Sequence, residues 1–190
     1  MSKYVNPCKV IPGPNTRWSY ANVWEAKSIN GGAPKFSVSL IIPKTDTATI
    51  EKINKAIRAA YEEGQSKLKG TSKYMPDLED LKLPLRDGDK ERKGDPTYAG
   101  CMFINANSST APGIVDADRQ PILERSEVYS GVYGRASITL YAFNSNGNRG
   151  IAAGLSNIQF WEDGEPLNGR VRAEDEFDAL DDDDTDDFLD

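Results

Sequence analysis

The stretch from Gly131 to Phe160, GVYGRASITLYAFNSNGNRGIAAGLSNIQF, constrains this chain most. Two strand-like runs flank the turn cluster Asn144-Ser145-Asn146-Gly147-Asn148-Arg149-Gly150. Asn-Gly is a favoured hairpin dipeptide because both residues tolerate positive φ. In the first run Ala136, Ile138, Leu140 and Ala142 share one face, which can only be core. The other face carries Arg135, Ser137, Thr139, Tyr141 and Phe143. A guanidinium, two hydroxyls and two rings suit a partner that is flat and charged, as single-stranded nucleic acid is. The alternative is that Tyr141 and Phe143 pack beneath a loop and Arg135 is merely solvated. One strand alone does not choose between them.

The rest of the chain supplies further short strands and one helix. Cys8–Ile11 reads as an edge strand among prolines. Arg17–Glu25 reads as a strand with Trp18, Tyr20 and Trp24 on one face, a set that serves as heavy core, as a stacking platform, or as a mixture. Lys35–Ile42 follows after a glycine-rich turn, with Phe36, Val38, Leu40 and Ile42 inward, so the two strands make a hairpin. Asp46 or Thr47 caps a helix running to about Glu63, with Gly64 as its stop and Ile50, Ile53, Ile57 and Tyr61 as its apolar stripe. From Gln65 to Ala99 no period holds, and the segment reads as a long charged loop, either functional or a solvated insertion. Short strands are expected again at Cys101–Ala106 and Ile114–Asp116. The expected fold class is mainly β: an OB-type five-stranded barrel with one inserted helix, long loops and a disordered acidic C-terminal tail.

The tail accounts for the charge. The chain holds 30 acids and 23 bases; eleven acids and no base fall in 174–190, which leaves nineteen acids and a body of +4 over 1–173. The expected organisation is a nucleic-acid-binding domain over 1–173 and a disordered tail over 174–190. A mildly basic body beside a strongly acidic end suggests nucleic-acid work. Phe188 and Leu189 within the acidic run offer an anchor for a partner's pocket, steered by Asp183, Asp184, Asp186 and Asp187; the alternative is a tail that serves solubility alone. Histidine is absent and the only cysteines are Cys8 and Cys101, so a zinc site and the usual triads are not expected, nor is any cofactor. No apolar run has the length of a signal peptide core or a membrane span, and a soluble intracellular protein is expected.

The candidate DNA contacts are Trp18, Tyr20, Trp24, Lys35, Arg86, Tyr98, Arg135, Tyr141, Phe143 and Arg149, the cations for phosphates and the rings for bases. Two other classes remain. A metal-dependent nuclease would use Asp87, Asp89 and Glu91, or Asp116 and Asp118, although these lie in turn-rich segments with no evident convergence. An adaptor or DNA mimic would act through the tail alone.

The blocks RWSYANVWEAKSINGGAPKFSVSLIIPK, PLRDGDKERKGDPTYAG, EVYSGVYGRASITLYAFNSNGNRGIAAGLSNIQ and DGEPLNGR resemble a phage-encoded family of single-stranded DNA-binding proteins, first known as a domain of unknown function. The resemblance runs from Arg17 to about Phe177. It implies an OB-fold and a non-enzymatic protein that coats single-stranded DNA in replication, recombination or repair, in the cytoplasm of an infected bacterium. It also implies an acidic tail that competes with DNA and recruits phage or host replication proteins such as polymerase or helicase-primase. Here Leu189 and Asp190 follow Phe188, whereas many such tails end on the ring itself.

Overall fold

The computed structural model describes residues 5–28 and 31–167. The acidic segment 174–190, with Asp183, Asp184, Asp186, Asp187 and Phe188, lies outside the described residues. Among them the strands are β1 (Lys9–Val10), β2 (Arg17–Lys27), β3 (Lys35–Pro43), β4 (Leu85–Asp87), β5 (Cys101–Ser108), β6 (Gly113–Val115), β7 (Tyr133–Ser145) and β8 (Asn148–Glu162). The helices are α1 (Thr47–Glu63), α2 (Gln65–Lys69) and α3 (Gly88–Glu91).

Five strands close a ring of OB type in the order β7-β2-β3-β5-β8, and β8 returns to β7. All neighbours are antiparallel except β5 and β8, which run parallel. The ring is thinly laddered at two seams. β2 meets β7 through one register pair, Arg17 with Tyr133, reinforced by Trp18 N to Val132 O and Gly134 N to Thr16 O, each 2.9 Å. β5 meets β8 only at Ala106–Ala153 and Asn107–Gly154. Where those two strands diverge, β4 takes the vacant edge of β5, and Lys82 bridges to Gly150 on β8. This wedge explains why a three-residue strand forms inside a segment with no period of its own.

The alternation expected of β7 is present: Ala136, Ile138, Leu140 and Ala142 are buried, while Arg135 and Tyr141 are exposed. Residues of every ring strand join Ile53, Ala56, Ile57 and Ala60 of α1 in one core. Asp46 caps α1, accepting from Thr49 N at 3.3 Å and from Thr49 Oγ1 at 2.7 Å. At its other end Gly64 is required, since a Cβ there would stand 2.2 Å from the Cβ of Ala142 on β7. The helix therefore sits on one end of the ring and leaves the outer surface of β3, β5 and β8 uncovered by it. Two expectations are corrected: among the described residues the helix count is three rather than one, and β8 runs on through Trp161 and Glu162, read from sequence as a loop.

Candidate nucleic-acid interface

The outer surface of the ring is polar because the register aligns it so. Asn22 on β2 pairs with Ser37 on β3, Ser37 with Asn107 on β5, Asn107 with Gly154 on β8, Gly154 with Thr139 on β7, and Thr139 with Lys9 on β1. One lateral belt of small polar residues thus crosses every strand of the ring and ends on an exposed lysine. The neighbours of the belt along each strand, Val23, Val38, Ala106, Ala153 and Ile138 among them, point into the core. Two adjoining depressions lie along the belt. One is lined by Tyr20, Asn22, Ser37, Ser39, Arg92, Asn105 and Asn107. The other, of about 750 Å³, is walled by Lys82, Arg86, Lys90 and Glu91 above Asn105, Asn107 and Ala152.

Two exposed rings flank the belt: Tyr20 lines the first depression, and Tyr141 stands on β7 opposite Ala152, which lines the second. Tyr141 is 43% exposed, and its Cε1 would lie 3.7 Å from a Cβ at Gly154, so the ring leans over the belt at Gly154. Tyr20 is 60% exposed and has φ +46°, a left-handed conformation that a bulky residue adopts only when its surroundings hold it there. The register of β2 against β3 shifts between Ser19 and Asn22, at Tyr20. That bulge breaks the expected face of Trp18, Tyr20 and Trp24. Trp18 is 0% exposed and belongs to the core, so it offers no surface to a base. Trp24 is half-buried against the core and donates its Nε1 to Val128 O at 3.1 Å.

Tyr98 is a second correction. It is 1% exposed and meets Phe103 edge-on at 5.1 Å between centroids; with Ile41 the two rings form a small separate core on the outer side of the sheet. Over this core lie two guanidinium groups: Arg86 at 5.4 Å from the Phe103 centroid, and Arg92 at 5.4 Å from Tyr98 and 5.5 Å from Phe103. The ring expected to stack on DNA instead supports the cations that line the groove. Arg86 is also gripped by Glu91, Nε to Oε2 at 2.8 Å and Nη2 to Oε1 at 2.6 Å.

Arg149 is a third correction. It is no free cation at a hairpin tip: it donates to Leu68 O at 2.9 Å and to Ser72 Oγ at 2.7 Å, tying β8 to the end of α2. Arg149→Ala is expected to lower stability by about 1–3 kcal/mol in urea titrations, because it strips a charged donor from part-buried acceptors, and to leave DNA affinity within twofold. Phe143 is half-buried with its ring over Gly150, the packed alternative raised above. Arg135 is exposed but shares its Nε with Gln159 Oε1 at 3.0 Å, about 13 Å along β7 from the belt by strand rise. Lys35 is exposed at the start of β3, on the same face as Ser37.

The family model of the Enterobacter phage Enc34 single-stranded DNA-binding protein matches residues 8–189. This chain belongs to that family. The chain is also similar to putative protein p50 of Acyrthosiphon pisum secondary endosymbiont phage 1, 31% identical over 172 residues, 87% of this chain and 91% of that relative. The bacteriophage Enc34 protein solved in complex with single-stranded DNA has a similar fold, with a TM-score of 0.71, 24% identity, and coverage of 87% of this chain and 96% of that one. The single-stranded DNA-binding protein gp2.5 of bacteriophage T7 also shares the fold, with a TM-score of 0.58, 15% identity, and coverage of 87% and 98%.

The Enc34 family is one of binding proteins rather than enzymes, and the carboxylates weighed for a nuclease have other tasks here. Lys44 Nζ lies 2.9 Å from Asp87 Oδ1 and 2.7 Å from Asp89 Oδ2. Asp116 Oδ1 accepts from Asp118 N and Gln120 N, each at 2.9 Å, closing a turn. Among the described residues no three His, Cys, Asp or Glu are gathered to hold a metal. The hydrogen bond from Lys44 is the main cause that holds the Asp87 and Asp89 carboxyls below their ordinary range. A carboxyl lowered in the folded state contributes stability above its unfolded pKa of about 3.9 and loses it as pH falls through the folded value. The clamp that fixes α3 beside the groove is therefore expected to be whole from neutral pH down to about 4, and an NMR titration should find both carboxyl midpoints below that value.

Arg92, Asn22, Ser37, Asn105 and Asn107 were not among the residues singled out from sequence. For Arg92 a signal existed: it stands in the charged run Arg86–Asp95, six residues before Tyr98. For the amides and serine none did, since their alignment follows from register across strands distant in sequence.

Proposed function

We propose that the outer groove of the ring holds single-stranded DNA, with phosphates along Lys82, Arg86, Lys90 and Arg92 and with Tyr20 and Tyr141 stacking on bases. The observation that carries this reading is the belt Asn22–Ser37–Asn107–Gly154–Thr139–Lys9, an uncovered polar track around a ring whose other face is core. A cationic wall with stackable rings and no demand for a base-specific shape suits an anionic chain of any sequence. Family membership supports the same partner. The test is a titration of oligo-dT and of a duplex of equal length across a salt series. Tighter binding of oligo-dT, with affinity falling log-linearly in salt, is the expected result. No binding of oligo-dT at low ionic strength would end the proposal.

Gly154→Glu probes the track directly. Gly154 has ordinary φ, and a Cβ there meets Thr139 O at 3.6 Å and Tyr141 Cε1 at 3.7 Å, both ordinary contacts. The variant should fold normally and lose at least about tenfold in oligo-dT affinity in fluorescence anisotropy, because the new side chain places a carboxylate on the belt where an anionic strand would lie.

The acidic residues 174–190 form a second working unit beyond the binding domain. Leu167 N bonds Ser130 O at 2.9 Å, and Leu167, Ser130 and Tyr20 line one depression, so the chain leaves the described region beside the Tyr20 end of the groove. From there a segment of eleven acids competes with DNA for the same cations, and Phe188 engages phage or host replication proteins. The protein works in the cytoplasm of the infected bacterium, coating strands exposed in replication, recombination or repair. Among the described residues no helix is long and apolar enough to cross a membrane.

A further inference from the structure

We propose that Asn105 and Asn107 select unpaired DNA by hydrogen-bonding the Watson–Crick edges of its bases, so that the strand lies with its bases toward β5. This rests on the groove proposed above. Both residues project from the outer side of β5, since Ile104 and Ala106 beside them are buried. Both line each of the two depressions and so occupy the saddle between them.

Their amides are uncommitted. Neither makes a side-chain hydrogen bond to a described residue, whereas other amides around the sheet are in use. Asn22 Nδ2 donates to Ser37 Oγ, Asn144 Nδ2 to Lys67 O, Asn157 Oδ1 accepts from Gly113 N, and Gln159 serves Arg135 and Asp116 O. The register partners of Asn105 and Asn107 are Ser39, Ser37 and Gly154, none of them charged. A phosphate laid on this saddle would find no cation on the floor, while Arg86, Lys90 and Arg92 stand on the walls. Phosphates belong at the walls and bases on the floor.

A primary amide presents a donor and an acceptor side by side, and a rotation about its last bond exchanges them. The Watson–Crick edge of each of the four bases also carries a donor beside an acceptor. Two rotatable amides can therefore pair with any base in turn, which gives hydrogen bonding without sequence choice. In a duplex those same edges are already paired and face the helix interior. The amides thus discriminate by pairing state rather than by sequence, something a cationic wall alone cannot do.

The test measures oligo-dT, an abasic oligomer of the same length and a duplex against the full chain and Asn105→Ala/Asn107→Ala, with thermal unfolding as the check on folding. The parent should bind oligo-dT more tightly than the abasic oligomer. The double variant should lose about tenfold to a hundredfold on oligo-dT, and less than twofold on the abasic strand and the duplex. Asn107→Asp, which keeps the shape but removes the donor, should lose on oligo-dT in the same selective way beyond its loss on the abasic strand. An equal loss on abasic and oligo-dT strands would assign the amides to the backbone and overturn the inference, as would no loss on either. Failure of the parent to bind any of the strands would instead overturn the groove itself.

Discussion

Replacing Tyr20 and Tyr141 together by alanine is expected to weaken binding to oligo-dT by roughly 2–6 kcal/mol, since one ring on one base contributes about 1–3 kcal/mol. Each single variant should carry about half of that loss, because the rings sit on different strands, Tyr20 beside Asn22 on β2 and Tyr141 against Gly154 from β7. The salt dependence should not change, because neither residue carries charge. That invariance separates a stacking role from a distortion of the cationic wall, which would flatten the slope. Stability should move little, or rise at Tyr20 if glycine is used, because its φ of +46° favours a residue without a Cβ. Anisotropy titrations at three salt concentrations measure both quantities. An undiminished affinity in the double variant would place the groove elsewhere.

Trp18→Ala is expected to do the opposite. The indole is wholly buried, and Gly134 on β7 is bare to receive it: a Cβ there would stand 2.4 Å from Trp18 Cζ2. Removing it empties the thin seam between β2 and β7, where one register pair closes the ring. The expected loss is about 3–5 kcal/mol of unfolding free energy, as for other large aromatic side chains removed from cores. In a domain of this size that lowers Tm by roughly 10 °C. The indole Nε1 has no hydrogen-bond partner, so no bond is lost with it and the cost is one of packing. The fraction still folded should bind oligo-dT as the parent does. Two aromatic residues two positions apart on one strand therefore separate cleanly, one affecting stability and the other affinity.

That separation marks the limit of what the sequence makes legible. β7 and α1 are readable because each has one face in the core and one in solvent, and the side-chain period shows it: Ala136, Ile138, Leu140 and Ala142 in the strand, Ile53 and Ile57 in the helix with Asp46 as its cap. The same reasoning fails on β2, because the bulge at Tyr20 shifts the phase without a glycine or proline to announce it. It fails for Tyr98, whose charged, turn-rich surroundings hide a second small core made with Ile41 and Phe103. It fails for Arg149, since its acceptors Leu68 O and Ser72 Oγ lie more than seventy residues away. The belt is the largest omission. Asn22, Ser37, Asn107 and Gly154 are unremarkable in sequence and join Thr139 of the outward β7 face in a track only when five strands align. The architecture was visible in local patterns, but the site is a product of register.

The most direct test follows the backbone amides of the full chain by NMR while oligo-dT is added. The account predicts that shifts gather on Tyr20, Asn22, Ser37, Asn105, Asn107, Thr139, Tyr141 and Gly154, with Arg86 and Arg92 alongside, and that the α1 surface at Glu51, Lys55 and Arg58 stays still. Shifts concentrated on α1, or on β6 and the adjoining Arg135–Gln159 pair, with the belt unmoved, would contradict it.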